Sequence, residues 1–215
     1  YGPGNDPLKA YGKTTDLIAM GGAQYVHTFD KCLFMPSDLT AGLEYNRDRL
    51  KDNMWGYDRH TDQTVNIYSA FLQNEWKNER WSILVGGRLD KHNMVDNIIF
   101  SPLANLRFNP TQNINLRLSY SSGFRAPQAF DEDMHIENVG GTVAMIERTK
   151  NLKEEKSQSF SASADIYHRF GAFQTNFLIE GFYTKLTDVF VLGEPYNRGD
   201  GVLVKLRSNG PGAKV

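Results

Sequence analysis

No apolar run in these 215 residues approaches the ~18 needed to cross a bilayer as a helix, and the mean hydropathy is negative. Helical membrane spans are therefore excluded. One cysteine, Cys32, leaves room for neither an intrachain disulfide framework nor a thiolate zinc cluster. Charge of one sign is also lacking: 24 Lys+Arg against 25 Asp+Glu give a net charge of −1, without the basic excess that nucleic-acid binding requires. Catalytic signatures are missing as well. There is no Gly-x-Ser-x-Gly, no His-Glu-x-x-His and no phosphate loop, and His27, His60, His92, His135 and His168 are scattered. The chain is expected to have no enzymatic activity, no catalytic residues and no cofactor. It also has no basic start followed by an apolar h-region, and opens with Tyr1, Gly2, Pro3 and Gly4, which reads as a loop cut in mid-protein. Aromatics are not scarce. With 13 Phe, 10 Tyr and 3 Trp the chain can bury enough surface to exclude disorder.

What is present is a period of two. Ile114, Leu116, Leu118 and Tyr120 alternate with Asn113, Asn115, Arg117, Ser119 and Ser121. Phe160, Ala162, Ala164, Ile166, His168 and Phe170 alternate with Ser161, Ser163, Asp165, Tyr167 and Arg169. Trp81, Ile83, Val85 and Leu89 share one parity, as do Phe173, Phe177, Ile179 and Tyr183. Successive side chains on a strand point to opposite faces, so each stretch predicts a strand with one apolar and one polar face. Looser alternation marks 13–29, 39–46, 64–77 and 98–109. The reading is all-β, an antiparallel meander of eight strands with a candidate ninth near 201–207.

The strands are about 11–17 residues long, against about 5–6 in ordinary globular sheets. Short connections at Asn78-Glu79, Asn109 to Thr111 and Gly171-Ala172 fall at one end of the sheet. Mostly longer links near 49–63, 93–97, 122–156 and 189–200 fall at the other. The link 30–38 is expected at the short-turn end, although it is longer than its peers. Outer-membrane barrels carry this asymmetry. Trp76, Trp81, Phe108, Phe170 and Phe173 cluster around the short turns, and Phe160 and Tyr183 lie ten residues away on the same parity. Ten residues of tilted strand rise about 25 Å, the height of an apolar band between two aromatic girdles. A soluble β-sandwich binding module is the alternative, as is an outer-membrane β-barrel enzyme. The polar face is poor material for a sandwich core, and no constellation of catalytic residues can be assembled for the enzyme.

Several motifs in order resemble TonB-dependent outer-membrane receptors. A strand closing on Arg117, Ser119 and Tyr120 runs into Gly123, Phe124, Arg125, Ala126 and Pro127, with acidic residues following. Leu152, Lys153, Glu155 and Ser157 match a later family motif, although Lys150 and Glu154 replace its two prolines. Upstream, Gln73, Glu75 and Trp76, then Gly86, Arg88 and Asp90, resemble a pair of family strands. Ser101-Pro102 and Arg107 to Pro110 also fit. The resemblance spans residues 68–160. It implies part of a barrel of about 22 strands with a plugged lumen, in the outer membrane of a Gram-negative bacterium. On that reading residues 1–215 are a partial barrel domain, without the plug domain, the TonB box or the closing C-terminal strands. The implied role is energy-coupled uptake of a scarce nutrient, namely a siderophore, haem, cobalamin or a glycan. The implied partners are outer-membrane lipid, that nutrient, and the TonB complex acting through the missing plug; no nucleic acid is expected.

Candidate ligand contacts are sought in the long links. Trp55, Tyr57 and Arg59 combine rings that stack on sugar or catecholate with a cation; Trp55 equally suits the headgroup level. Asp131, Glu132, Asp133 and His135 form an acidic strip that is either solvated or able to hold a hard cation. It lacks the spacing of an EF-hand, and no metal site is assigned. Arg125 has a planar fork suited to carboxylate or phosphate, or to an ion pair with Asp131 or Glu132. On the polar face, Arg88, Asp90, Arg117, Asp165 and Arg169 are expected to point inward and form cross-strand ion pairs along the wall.

Overall fold

The computed structural model describes residues 12–55, 59–128, 137–139, 142–149, 151–199 and 203–215. Eight long strands build the wall: β1 (Gly12–Cys32), β2 (Met35–Met54), β3 (Arg59–Lys77), β4 (Trp81–His92), β5 (Ile99–Thr111), β6 (Ile114–Arg125), β9 (Glu155–Phe170) and β10 (Phe173–Thr187). Between and after them come β7 (Glu137–Val139), β8 (Thr142–Arg148), β11 (Phe190–Leu192), β12 (Tyr196–Asn197), β13 (Leu203–Asn209) and β14 (Ala213–Lys214). The wall is one nine-stranded sheet in the order β1-β2-β3-β4-β5-β6-β9-β10-β14. Every ladder in it is antiparallel. Among the described residues there is no α-helix.

Register turns the single-strand alternation into continuous rows. Val85, Ala104, Tyr120, Phe160 and Tyr183 are successive cross-strand partners, and so are Ile83, Leu106, Leu118, Ala162 and Gly181. Among the described residues no second layer covers this apolar face. Leu118 is 55%, Phe177 59% and Ile179 56% exposed. A sandwich core between two sheets is therefore not what these side chains form.

Aromatic rings bound the apolar face on both sides. At the turn end Phe34 stacks on Trp76 and Trp81 on Phe108, with ring centroids 5.6 and 4.1 Å apart. At the loop end Tyr45 meets Tyr68 at 4.9 Å and Tyr120 meets Phe160 at 4.8 Å. Both belts slip in the same sense across the register. The Tyr45–Tyr68 row reaches Lys91 on β4, whereas the Tyr120–Phe160 row reaches Val85, six residues nearer the turn end. Likewise the Trp81–Phe108 row reaches Ala164 on β9, six residues short of Phe170. A belt level with a membrane must cross the rows in this way when the strands are tilted.

Short and mostly longer connections fall at opposite ends as expected, with three corrections, the first being that the 49–63 link shrinks to 55–58 because β2 runs to Met54 and β3 starts at Arg59. The link 30–38 is a tight turn after all: β1 runs to Cys32, and only Leu33 and Phe34 separate it from β2, with Leu33 at φ 62°. Pro36 falls in this stretch. It sits within the register shift between Phe29 and Cys32, where an extra residue on β1 leaves a position unpaired, and a residue without N–H loses nothing there. The turn at Asn78 is held by its side-chain oxygen, which accepts from the N–H groups of Arg80 and Trp81 at 2.9 and 2.8 Å. The third correction concerns the ninth strand. Residues 203–209 do form a strand, β13, but it leaves the wall and pairs in parallel with β8 in a small sheet ordered β11-β13-β8-β7. The ninth wall strand is β14, paired with β10 through Lys185–Lys214 and Leu186–Ala213.

Candidate ligand-binding mouth

The inward face differs between its two ends. In the loop-end half, the inward residues Leu50 and Asp52 of β2, Val65 and Ser69 of β3, Asp90 and His92 of β4 and Ile99 of β5 are buried. Ile99 packs with Val95, Ala126 and Phe124, so the link after β4 and the segment after β6 meet over the inside of the wall. The small sheet ties in here. The Arg148 guanidinium, at the end of β8, donates to Gln63 Oε1 at 3.0 Å and to the Pro127 carbonyl at 2.9 Å. Met145 and its register partner Val204 are both buried. The described parts of these segments, around Val95 and from Ala126 to Gln128, thus lie against the loop end of the inward face.

His92 is the largest fully buried side chain in this region. It lies past Lys91, the residue at which the aromatic belt crosses β4. Its Nδ1 accepts from the Met94 N–H at 3.0 Å, and Nε2 lies 3.3 Å from Gln128 Oε1. Burial holds its pKa below the ordinary 6.5, against smaller opposing contributions from Gln128 and Asp90. The imidazole is therefore kept neutral, accepting on one nitrogen and donating on the other.

Further toward the turn end the inward face is ionic. Arg88 bridges Glu44 at 2.6 Å and Asp90 at 2.8 Å, and Asp90 also accepts from the Ser69 hydroxyl at 2.6 Å. Arg117 lies 3.4 Å from Asp165 on the neighbouring strand. Arg117–Asp165 is a cross-strand wall pair of the kind the alternation predicts, whereas Arg88–Asp90 lies within β4 and Arg88–Glu44 reaches over β3 to β2. Arg169 departs from that expectation: its Nε donates to the Gly171 carbonyl at 3.1 Å, bracing the β9–β10 turn.

Three of the sequence-predicted contacts can be placed. Trp55 stands exposed at the tip of the β2–β3 hairpin. Arg59, at the start of β3, pairs with Asp52 at 2.7 Å, and only 12% of its side chain is exposed. Asp52 also accepts from the Thr14 hydroxyl at 2.6 Å, so this pair joins β1, β2 and β3. Arg125 closes β6 opposite Glu155, with its guanidinium carbon 5.7 Å from the centre of the Phe190 ring. The structure brings Trp55 and Arg59 onto one hairpin, whereas Arg125 lies three strands farther along the wall. Tyr57, Asp131, Glu132, Asp133 and His135 lie outside the described residues. Among the described residues no three His, Cys, Asp or Glu side chains converge as metal ligands would. Sequence reasoning missed His92, Gln63, Gln128 and Arg148. The available signal was parity, since His92 shares the inward face of β4 with Arg88 and Asp90.

Comparison with known proteins places this geometry. A family model described as "TonB dependent receptor-like, beta-barrel" matches residues 2–210. No curated protein sequence matches the chain. Among solved structures, the siderophore receptor PirA from Pseudomonas aeruginosa aligns over 95% of this chain and 39% of its own, with TM-score 0.79 and 15% identity. The ferric enterobactin receptor PfeA from the same organism, a Q482A mutant solved with enterobactin, aligns over 98% and 34%, with TM-score 0.71 and 19% identity. The hemophore receptor HasR from Serratia marcescens, a double mutant solved with its hemophore HasA and heme, aligns over 94% and 38%, with TM-score 0.75 and 13% identity. The chain spans under two-fifths of the length of each of these three.

Proposed function

Because the chain belongs to the TonB-dependent receptor-like β-barrel family, we propose that it forms part of the wall and mouth of an outer-membrane receptor for a scarce nutrient. Its apolar face meets acyl chains, its ionic face lines the lumen, and the loop end opens to the exterior. The two-sidedness carries this reading: uncovered apolar rows bounded by two slipping aromatic belts back onto a face of buried and paired charges. Energy for uptake comes from the inner membrane through TonB and a plug domain. The cargo is an iron chelate, a siderophore or haem, as the names of the similar receptors suggest; cobalamin and glycans are the other members of the nutrient class. Trp55 and Arg125 are the described side chains that contact it, the indole by stacking and the guanidinium by charge. Arg59 acts through Asp52, holding the hairpin that presents Trp55.

Uptake of iron-labelled siderophores and haem by cells producing the full-length protein tests this. The expected result is accumulation of at least one chelate, abolished by a protonophore. Trp55→Ala and Arg125→Ala should each weaken cell-surface binding about tenfold without changing the amount of protein in the outer membrane. Accumulation that is indifferent to the proton gradient, or no chelate taken up by correctly inserted protein, contradicts the proposal.

A further inference from the structure

The outward faces of β2, β3 and β4 carry no cation from the short turns up to the Tyr45–Tyr68 pair. At that row and beyond it, cations gather. Lys91 is in the row, and Arg47, Arg49 and Lys51 follow on alternate positions of β2, all exposed. Arg49 and Lys51 share a single carboxylate, Asp62, at 3.9 and 3.3 Å. Arg47 makes no ion pair among the described residues. Lys91 donates to the carbonyls of Val95 and Asp96 at 3.2 and 2.6 Å, which uses two of its three N–H groups.

Directly below these cations the outward face is concave. A groove of about 570 Å³ is floored by Ala23 and Ala70 and walled by Leu43, Leu89 and Ile98. Its loop-facing end is closed by Tyr45, Tyr68 and Lys91. Small residues open the groove: Ala23 and Ala70 alternate with Leu43 and Leu89 in one register row, and Gly21 adjoins them with nothing within 4 Å of the position its Cβ would take. Strands spaced about 4.8 Å apart, with residues about 3.3 Å apart along them, put the backbones of Arg47 and Lys91 roughly 12 Å apart above the groove.

We infer that this is a binding site for a phosphorylated, multiply acylated glycolipid of the lipid A type, with an acyl chain in the Ala23–Ala70 groove and its phosphates on Lys91, Arg47 and the Arg49–Lys51 pair. The inference rests on the outer-membrane reading above, which sets the loop end at the external leaflet. Apolar floor and cationic rim together match a lipid that carries anionic groups at the headgroup level. The surplus of three cations over one carboxylate on β2 and β3 favours more than one phosphate.

Native mass spectrometry of the full-length protein in detergent, titrated with bisphosphorylated lipid A, dephosphorylated lipid A or phosphatidylglycerol, reads the site. The wild type should bind bisphosphorylated lipid A at least tenfold more tightly than either of the other lipids. The combined variant Arg47→Gln, Arg49→Gln, Lys51→Gln, Lys91→Gln should lose that preference. Gly21→Trp, which puts an indole into the space that this glycine leaves beside Tyr45 at the head of the groove, should weaken binding of lipid A by a similar factor while the four cations stay in place. If the quadruple variant fails to fold, Gly21→Trp and the dephosphorylated lipid decide the matter. Equal binding of all three lipids, or lipid A binding unchanged in every variant that folds, overturns the site. Density-gradient fractionation of wild-type membranes separates the two levels. Recovery outside the outer membrane removes the underlying reading and this site with it, whereas recovery in the outer membrane with unchanged lipid binding removes this site alone.

Discussion

A side chain at Gly42 has nowhere to go, because its Cβ would fall within the ring of Phe71, the residue directly opposite on β3. Gly87 on β4 is covered in the same manner by Phe100, on the other face of the wall. In each pair an aromatic ring lies over a glycine and fills the gap that the missing side chain leaves in the sheet surface. Gly42→Leu should therefore destabilise the barrel by about 1–3 kcal/mol, the usual range for overpacking. Thermal unfolding of the full-length protein in detergent checks this, and Phe71→Ala in the same chain should restore part of the loss. His92 makes a prediction of another kind. Its buried, neutral imidazole has a lowered pKa, so the unfolded or opened segment binds a proton more readily than the closed one. The contribution to stability is whole above about pH 6.5 and is lost as pH falls through the folded-state value. Hydrogen exchange of residues 93–98, corrected for the intrinsic effect of pH, should show constant protection above pH 6.5 and declining protection below it. His92→Gln should flatten the profile.

Strands were most legible where one parity is apolar and the other polar without interruption. On β6 and β9 every outward position from Ile114 to Tyr120 and from Phe160 to Ile166 is apolar or small and every inward one is polar or charged, apart from Tyr167 farther along β9. The signal failed where β2 and β3 project past the belt. There the outward face turns polar with Arg47, Arg49 and Lys51, and the inward face mixes Asp48 and Asp52 with Leu50, so neither parity stands out as apolar, and 49–63 read as a loop although the strands continue to Met54 and from Arg59. It failed again at β13, whose seven residues look like wall but pair with β8, because alternation records the faces of a strand and says nothing about its neighbours. The mouth was least legible. Ile99, Ala126 and Val95 come together only through the folding of two links, which no local pattern encodes. For the wall itself, parity gives a sharp expectation. Leu118→Arg, outward, should cost about 2–4 kcal/mol of membrane stability, whereas Ser119→Arg, one residue on and inward, should be tolerated. Urea titration of the full-length protein folded into lipid vesicles measures both.

At the scale of the whole molecule, the wall is a sheet with two edges. Among the described residues β1 pairs only with β2, and the far side of β10 is met only at its end, by β14 and by hydrogen bonds between Thr184 and Val215. Hydrocarbon cannot satisfy a long row of free N–H and C=O groups, so a membrane-spanning sheet of this kind must be closed by further strands. Residues 1–215 produced alone should accordingly give no heat-stable monomer in detergent. The most direct test of the wall's two-sidedness is a cysteine scan along β6. Single cysteines at positions 113–121 of the full-length protein, in a background lacking Cys32 and any other cysteine, would carry a spin label in lipid bilayers. Collisions with oxygen dissolved in the lipid should peak at 114, 116, 118 and 120, and collisions with a water-soluble nickel chelate at 113, 115, 117, 119 and 121. Accessibility without a period of two, or protection of the even positions from both reagents, would show that these side chains lie in a sealed protein core and contradict the barrel-wall assignment.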